Sequence, residues 1–185
     1  MSRRISKGKE IRPTFFVFCE GETEEAYIAF LRSRYRVPIE IDPKIARNGI
    51  TEKYINNYKK QRTRHPKDKT FLIYDCDVPE TTERLRKIKD VDLLLSNPCF
   101  ELWYLLHYQH QTASLPTKDC EQKICGMIKE YKKGHLDEKM KSTIVANQNE
   151  AIKRAESLIK ADVPVELNNP STDVYRFVEE LEKVK

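Results

Sequence analysis

Apolar residues in this chain fall into short runs separated by charged stretches. Thr14–Cys19 reads TFFVFC, an unbroken apolar run rich in aromatic residues, which predicts a strand buried on both faces. Gly21 ends it. Glu22–Tyr35 then reads as a helix, with Ala26, Ile28, Ala29, Phe30 and Leu31 apolar and acids crowding the first turn, where the helix dipole favours them. Val37–Ile41 is the second expected strand, closed by Asp42-Pro43. Thr51–Arg64 reads as a helix with Tyr54, Ile55 and Tyr58 on one face, ended by His65-Pro66.

Phe71–Tyr74 predicts a third strand, running into Asp75-Cys76-Asp77. Thr81–Lys89 follows as a short helix, Val91–Leu95 as a fourth strand, and Cys99–Gln109 as a helix entered through Ser96-Asn97-Pro98. Strand and helix alternate four times. That order argues for an α/β fold of about four mainly parallel strands, with right-handed crossovers and helices on both faces. Beyond about residue 110 the strand signals stop. Thr117–Lys132 and Asn147–Lys160 look helical, Asp162–Pro170 is a loop, and Ser171 or Thr172 caps a last helix bearing Val174, Phe177, Val178 and Leu181. No repeat or long linker interrupts the chain, so one domain is expected over 1–185: a core from about 12 to 110 and a helical extension from about 111 to 185.

Length and composition narrow the classes. A chain of 185 residues with 39% hydrophobic residues can bury a core of ordinary size. Five Gly and nine Pro without a period exclude collagen-like and low-complexity chains. No apolar run approaches the roughly 20 residues needed to cross a bilayer, and the basic N-terminus lacks the apolar stretch of a secretory signal. The five cysteines form no C-x-x-C pair, and Cys120 and Cys125 are spaced wrongly for a common zinc knuckle. A reducing cytoplasm, with thiols packed as small hydrophobes, is the expected setting.

The net charge of +5 is unevenly spread. Residues 1–70 carry 17 basic and 9 acidic residues, whereas residues 71–185 carry 17 and 20. Seven positives lie in one stretch: Lys53, Lys59, Lys60, Arg62, Arg64, Lys67 and Lys69. Such a stretch suits a polyanion, nucleic acid above all. It is equally the composition of a solvated helix face and loop.

Ligands of an open α/β sheet gather at the carboxyl ends of its strands. Glu20 directly follows the first expected strand, and Asp75 and Asp77 follow the third. Glu24 lies one helical turn beyond Glu20 and can point back. Carboxylates converging without a cationic partner repel one another; hard oxygen donors of this kind favour Mg²⁺ or Mn²⁺. A cation so held can bind a phosphate oxygen and activate water. The plainer reading makes these acids helix-start and turn residues. Glu101 stands in the apolar segment Phe100–Leu106, where a carboxylate needs either a ligand or a backbone N–H. His107 reads as a general base, a phosphate contact or a helix residue. Trp103 reads as core.

Taken together, Cys19-Glu20-Gly21-Glu22-Thr23-Glu24, Tyr74-Asp75-Cys76-Asp77, Ser96-Asn97-Pro98-Cys99-Phe100-Glu101-Leu102-Trp103, His107 and Asn169-Pro170-Ser171-Thr172 resemble the RloB-like protein family from about residue 12 to residue 183. The strand-Glu-Gly and Asp-x-Asp pair resembles the toprim domain of topoisomerases, bacterial primases and OLD-family nucleases. The resemblance implies a toprim-like core and a place in prokaryotic anti-phage abortive infection, beside an ABC/SMC-type ATPase called RloA. It implies a metal-dependent endonuclease of DNA or RNA, tRNA included. Glu20, Asp75 and Asp77 then match the metal-binding acids and Glu24 the second acid of nuclease-type motifs; Glu101 and His107 match family positions of unassigned role. The chain has no ATPase segment or Gly-rich phosphate loop, so ATP-driven gating is expected from the partner. A topoisomerase would need a tyrosine-bearing cleavage domain for which no length remains, and a primase a zinc ribbon that is not seen. The other readings kept open are a non-catalytic metal- or nucleotide-binding module regulating a partner and plain nucleic-acid binding through the basic stretch; the sequence leaves room for an oligomer without fixing its state.

Overall fold

The computed structural model describes residues 12–76 and 78–185. Its elements in order are β1 (Thr14–Cys19), α1 (Glu22–Tyr35), β2 (Glu40–Ile45), α2 (Glu52–Lys60), β3 (Lys69–Asp75), α3 (Pro79–Arg86), β4 (Asp92–Asn97), α4 (Glu101–Tyr108), α5 (Thr117–Met127), α6 (Glu138–Leu158), β5 (Ser171–Thr172) and α7 (Tyr175–Glu182). The sheet order is β2-β1-β3-β4-β5. The first four strands are parallel, and β5 runs antiparallel to β4. This is an α/β, Rossmann-like architecture.

β1 is buried along its whole length because helices cover both faces of the sheet. Phe15, Val17 and Cys19 point into one core, with Phe71 and Ile73 of β3 and the apolar faces of α1, α4, α5, α6 and α7. Phe16 and Phe18 point into the other, with Leu72, Tyr74, Ile55 of α2 and Leu85 of α3. The C-terminal helices therefore complete the larger core rather than extend from it. Met140, Ile144, Ala151, Ala155 and Leu158 form the buried stripe of α6.

Three elements depart from the expectation. β2 includes Asp42-Pro43 instead of ending there. Pro43 stands in register with Val17, and β2 pairs with β1 alone, so the missing proline N–H costs no ladder hydrogen bond. α6 begins nine residues before Asn147, where Asp137 accepts the Met140 N–H at 2.7 Å as an N-cap. Ser171 and Thr172 are not a helix cap but a fifth strand, too short to announce itself. Thr172 Oγ1 lies 2.9 Å from Ser96 Oγ, tying β5 to β4. Among the described residues no helix is long and apolar enough to cross a membrane.

Candidate functional site

The parallel strands bring their carboxyl ends to one edge of the sheet, and a cleft of about 620 Å³ opens there. Glu20, Gly21 and Glu24 line it from the β1–α1 turn, Asp75 from the end of β3, and Glu101 from the start of α4. Thr117 and Glu121 of α5, Lys133 of the α5–α6 connection and Arg47 of the β2–α2 connection close its sides. Four carboxylates singled out in the sequence thus face one space. Asp77 lies outside the described residues.

Each acid is held by a definite contact. The Asp75 N–H donates to Glu20 Oε2 at 2.9 Å, which joins the ends of β1 and β3. Glu24 is buried and its Oε2 accepts the Gly21 N–H at 3.0 Å, so the side chain folds back over the first turn of α1. Burial raises its carboxyl to about 7, and the nearby charges of Glu101 and Glu20 add to the rise against the hydrogen bonds it accepts. Glu101 is 2% exposed. Its Oε1 accepts the Tyr131 hydroxyl at 3.0 Å, a side-chain donor. Lys133 Nζ lies 3.8 Å from Glu101 Oε1 and 2.6 Å from Glu121 Oε1. Burial works against the Lys133 charge, but the hydrogen bond to Glu121 and the charges of Glu101 and Glu121 hold its pKa above the ordinary lysine range. Among the described residues no three of His, Cys, Asp and Glu close on a common metal position.

His107 is not part of this cleft. It sits at the far end of α4, six residues or about 9 Å from Glu101. It is fully buried, its ring packed edge-on against Trp103 with centroids 4.7 Å apart. Its Nδ1 donates to the Trp103 carbonyl at 2.8 Å, and burial lowers its pKa to about 4. At neutral pH it is an uncharged core residue. Trp103 is core as well.

The basic stretch is also parted from the acids. α2 carries the chain from the carboxyl edge back to the opposite edge, roughly 20 Å away across β1. Lys53 remains near the cleft end of α2. Lys59 donates to Thr70 Oγ1 at 2.8 Å beside the start of β3. Arg62 pairs with Asp42 at 3.2 Å and lies over the Tyr58 ring. Lys69 pairs with Glu180 of α7. Lys60, Arg64 and Lys67 are exposed at that same far edge.

The later motif residues are architectural. Asn97 Nδ2 donates to the carbonyls of Val165 and Glu166 at 3.1 and 3.0 Å. Asn169 clamps Leu115 in both directions, accepting its N–H at 3.0 Å and donating to its carbonyl at 2.9 Å.

A family model described as RloB-like protein matches residues 15–181. The chain belongs to the RloB-like protein family. That match takes in the sheet from the second residue of β1 onward and all the cleft-lining residues. No curated protein and no solved structure matches the chain.

Sequence reasoning missed Arg47, Thr117, Glu121, Tyr131 and Lys133. Arg47-Asn48-Gly49 follows a strand end, the same signal that marked Glu20 and Asp75. It was hidden by ending β2 at Ile41. The other four come from α5 and the loop after it, which no local pattern connects with the sheet edge.

Proposed function

We propose that this chain is a Mg²⁺- or Mn²⁺-dependent nucleic-acid endonuclease of a prokaryotic anti-phage abortive-infection system, working in the cytoplasm with an RloA-like ABC/SMC-type ATPase. The observation that carries the reading is the Glu20–Asp75 junction, where the Asp75 N–H donates to the Glu20 carboxylate at the carboxyl edge of the sheet, in a cleft that Glu20, Asp75, Glu24 and Glu101 all line. Family membership supports the toprim-like assignment and the defence setting.

The donors are carboxylate oxygens lining one cleft, the ligand type a hard divalent cation takes, and among the described residues no three of them close on one position. Glu20, Asp75 and Asp77 are the residues assigned to hold it, with Glu24 in support. When bound, such a cation polarises a phosphate oxygen and lowers the pKa of water. The protein's own groups do the rest. Glu20 is oriented by the Asp75 N–H. Glu24 is held over the first turn of α1 by the Gly21 N–H. Lys133 balances the charge of Glu101 and Glu121.

A second reading is a non-catalytic metal- or nucleotide-binding module. It is favoured by the engagement of Glu24 as a helix-start acceptor and of Glu101 by Tyr131 and Lys133. Incubating the chain, alone and with an RloA-like ATPase, with plasmid, single-stranded DNA and total tRNA in Mn²⁺ separates the two. Metal-dependent cleavage abolished by Asp75→Asn/Asp77→Asn is the expected result. No cleavage of any substrate with the partner present would favour the binding module.

A further inference from the structure

The cleft has an acidic floor, a Lys133–Glu121 ion pair on its α5 side and Arg47 on the other, and Arg47 is built in at a cost. Arg47 has a backbone φ of 50°, a left-handed conformation that non-glycine residues adopt reluctantly. Gly49, two residues on, would take it without strain. Three hydrogen bonds nevertheless fix this loop. Tyr74 donates its hydroxyl to the Arg47 carbonyl at 2.9 Å. Arg84 donates to the Ile50 carbonyl at 3.1 Å and to the Asn48 carbonyl as well. Tyr74 immediately precedes Asp75, so the strand that presents a floor carboxylate also anchors the loop. The Arg47 side chain is exposed, lines the cleft, and makes no ion pair among the described residues. Lys133 stands at the α5 side of the same cleft.

Backbone strain held in place by several contacts, at the mouth of a polar cleft, points to a side chain placed for a ligand. A guanidinium there cannot serve a cation. Its fork of donors fits phosphate oxygens. We propose that Arg47 is a phosphate-contacting residue that binds the nucleic-acid backbone over the acidic floor, while Lys133 across the cleft stays paired with Glu121. This rests on the endonuclease reading of the same cleft and names the contact that would orient its substrate. It also supplies what the basic stretch at the opposite edge does not, a positive charge beside the carboxylates.

The test is binding of a fluorescein-labelled single-stranded oligonucleotide in Ca²⁺, used in place of Mn²⁺ so that affinity is read without turnover. Arg47→Gly removes the side chain while relieving the left-handed backbone, so its melting temperature is expected to stay level or rise. Its affinity is expected to fall about tenfold or more, and the slope of log affinity against log salt to shrink by about one. Lys153→Ala, on the exposed face of α6, is the control for general loss of charge. Arg47→Gly binding with wild-type affinity and salt slope would overturn the proposal, as would a wild type that binds no oligonucleotide. Cleavage is scored separately. A cleaving wild type with an indifferent Arg47→Gly sinks only the phosphate contact, whereas Arg47-dependent binding without cleavage sinks only the endonuclease reading.

Discussion

Glu20 and Asp75 are 55 positions apart in the chain, yet the Asp75 N–H donates to the Glu20 carboxylate at 2.9 Å. The contact follows from parallel pairing of β1 and β3, in which Cys19 stands opposite Ile73. It makes the acidic floor a property of the sheet rather than of a loop. Sites on rigid elements hold their geometry better than sites on loops.

Glu24 gives the cleft a pH dependence. Burial raises its carboxyl to about 7, above the 4.5 of a free glutamate, so between those values the folded chain holds a proton that the unfolded chain has released. Stability should therefore fall as pH rises from about 4.5 to 7 and level off above, by on the order of 3 kcal/mol at most. Urea melts from pH 5 to 8 in EDTA check this. Glu24→Gln, which retains an acceptor for the Gly21 N–H, should flatten the fall.

Tyr131 is the hydroxyl donor to the buried Glu101 carboxylate. Tyr131→Phe should cost about 1–3 kcal/mol in urea denaturation, the usual penalty for a buried acceptor left with one partner fewer. Oligonucleotide binding by the variant should change little, since Arg47 is untouched.

Gly134 holds the Lys133 loop against α1. Its φ is +73°, and an added Cβ would lie 2.8 Å from Glu22 Cβ, the root of that side chain. Gly134→Ala should cost at least about 1–2 kcal/mol from the left-handed backbone alone, with the steric overlap added. Thermal melts read the loss.

Asn169 lies within the stretch matched by the family model, and its side chain spends both its polar groups on Leu115. Asn169→Ala should lower stability by about 1–3 kcal/mol and leave Mn²⁺ affinity unchanged. Calorimetry of both quantities on one sample distinguishes an architectural residue from a ligand.

The far basic edge makes a prediction about rate. Lys60, Arg64 and Lys67 lie roughly 20 Å from the carboxylates. Neutralising all three should leave kcat on a short oligonucleotide unchanged, while lowering affinity for long substrates at low salt. A fall in kcat on the short substrate would contradict the separation.

Much of this was legible in the sequence where burial is two-sided. Thr14–Cys19 and Glu22–Tyr35 have the bounds read from them, because an unbroken apolar run, a glycine and an acidic first turn leave few alternatives. β2 was obscured by Asp-Pro, which usually stops a strand but is tolerated on an edge. β5 has two residues and no period to read. The first half of α6 hid its apolar stripe among lysines and polar residues. At the cleft, Glu20, Glu24, Asp75 and Glu101 were marked by position along strands and helices. Tyr131 and Lys133 arrive through tertiary packing and carry no such mark. His107 misled because a histidine at helical spacing looks the same in sequence whether it faces a cleft or a core.

The most direct test of the acidic floor is calorimetric titration of Mn²⁺ into wild type and Asp75→Asn. Tight binding by the wild type, weakened at least about tenfold in the variant with its melting temperature unchanged, is the predicted result. Equal Mn²⁺ affinity in the two proteins would contradict the account.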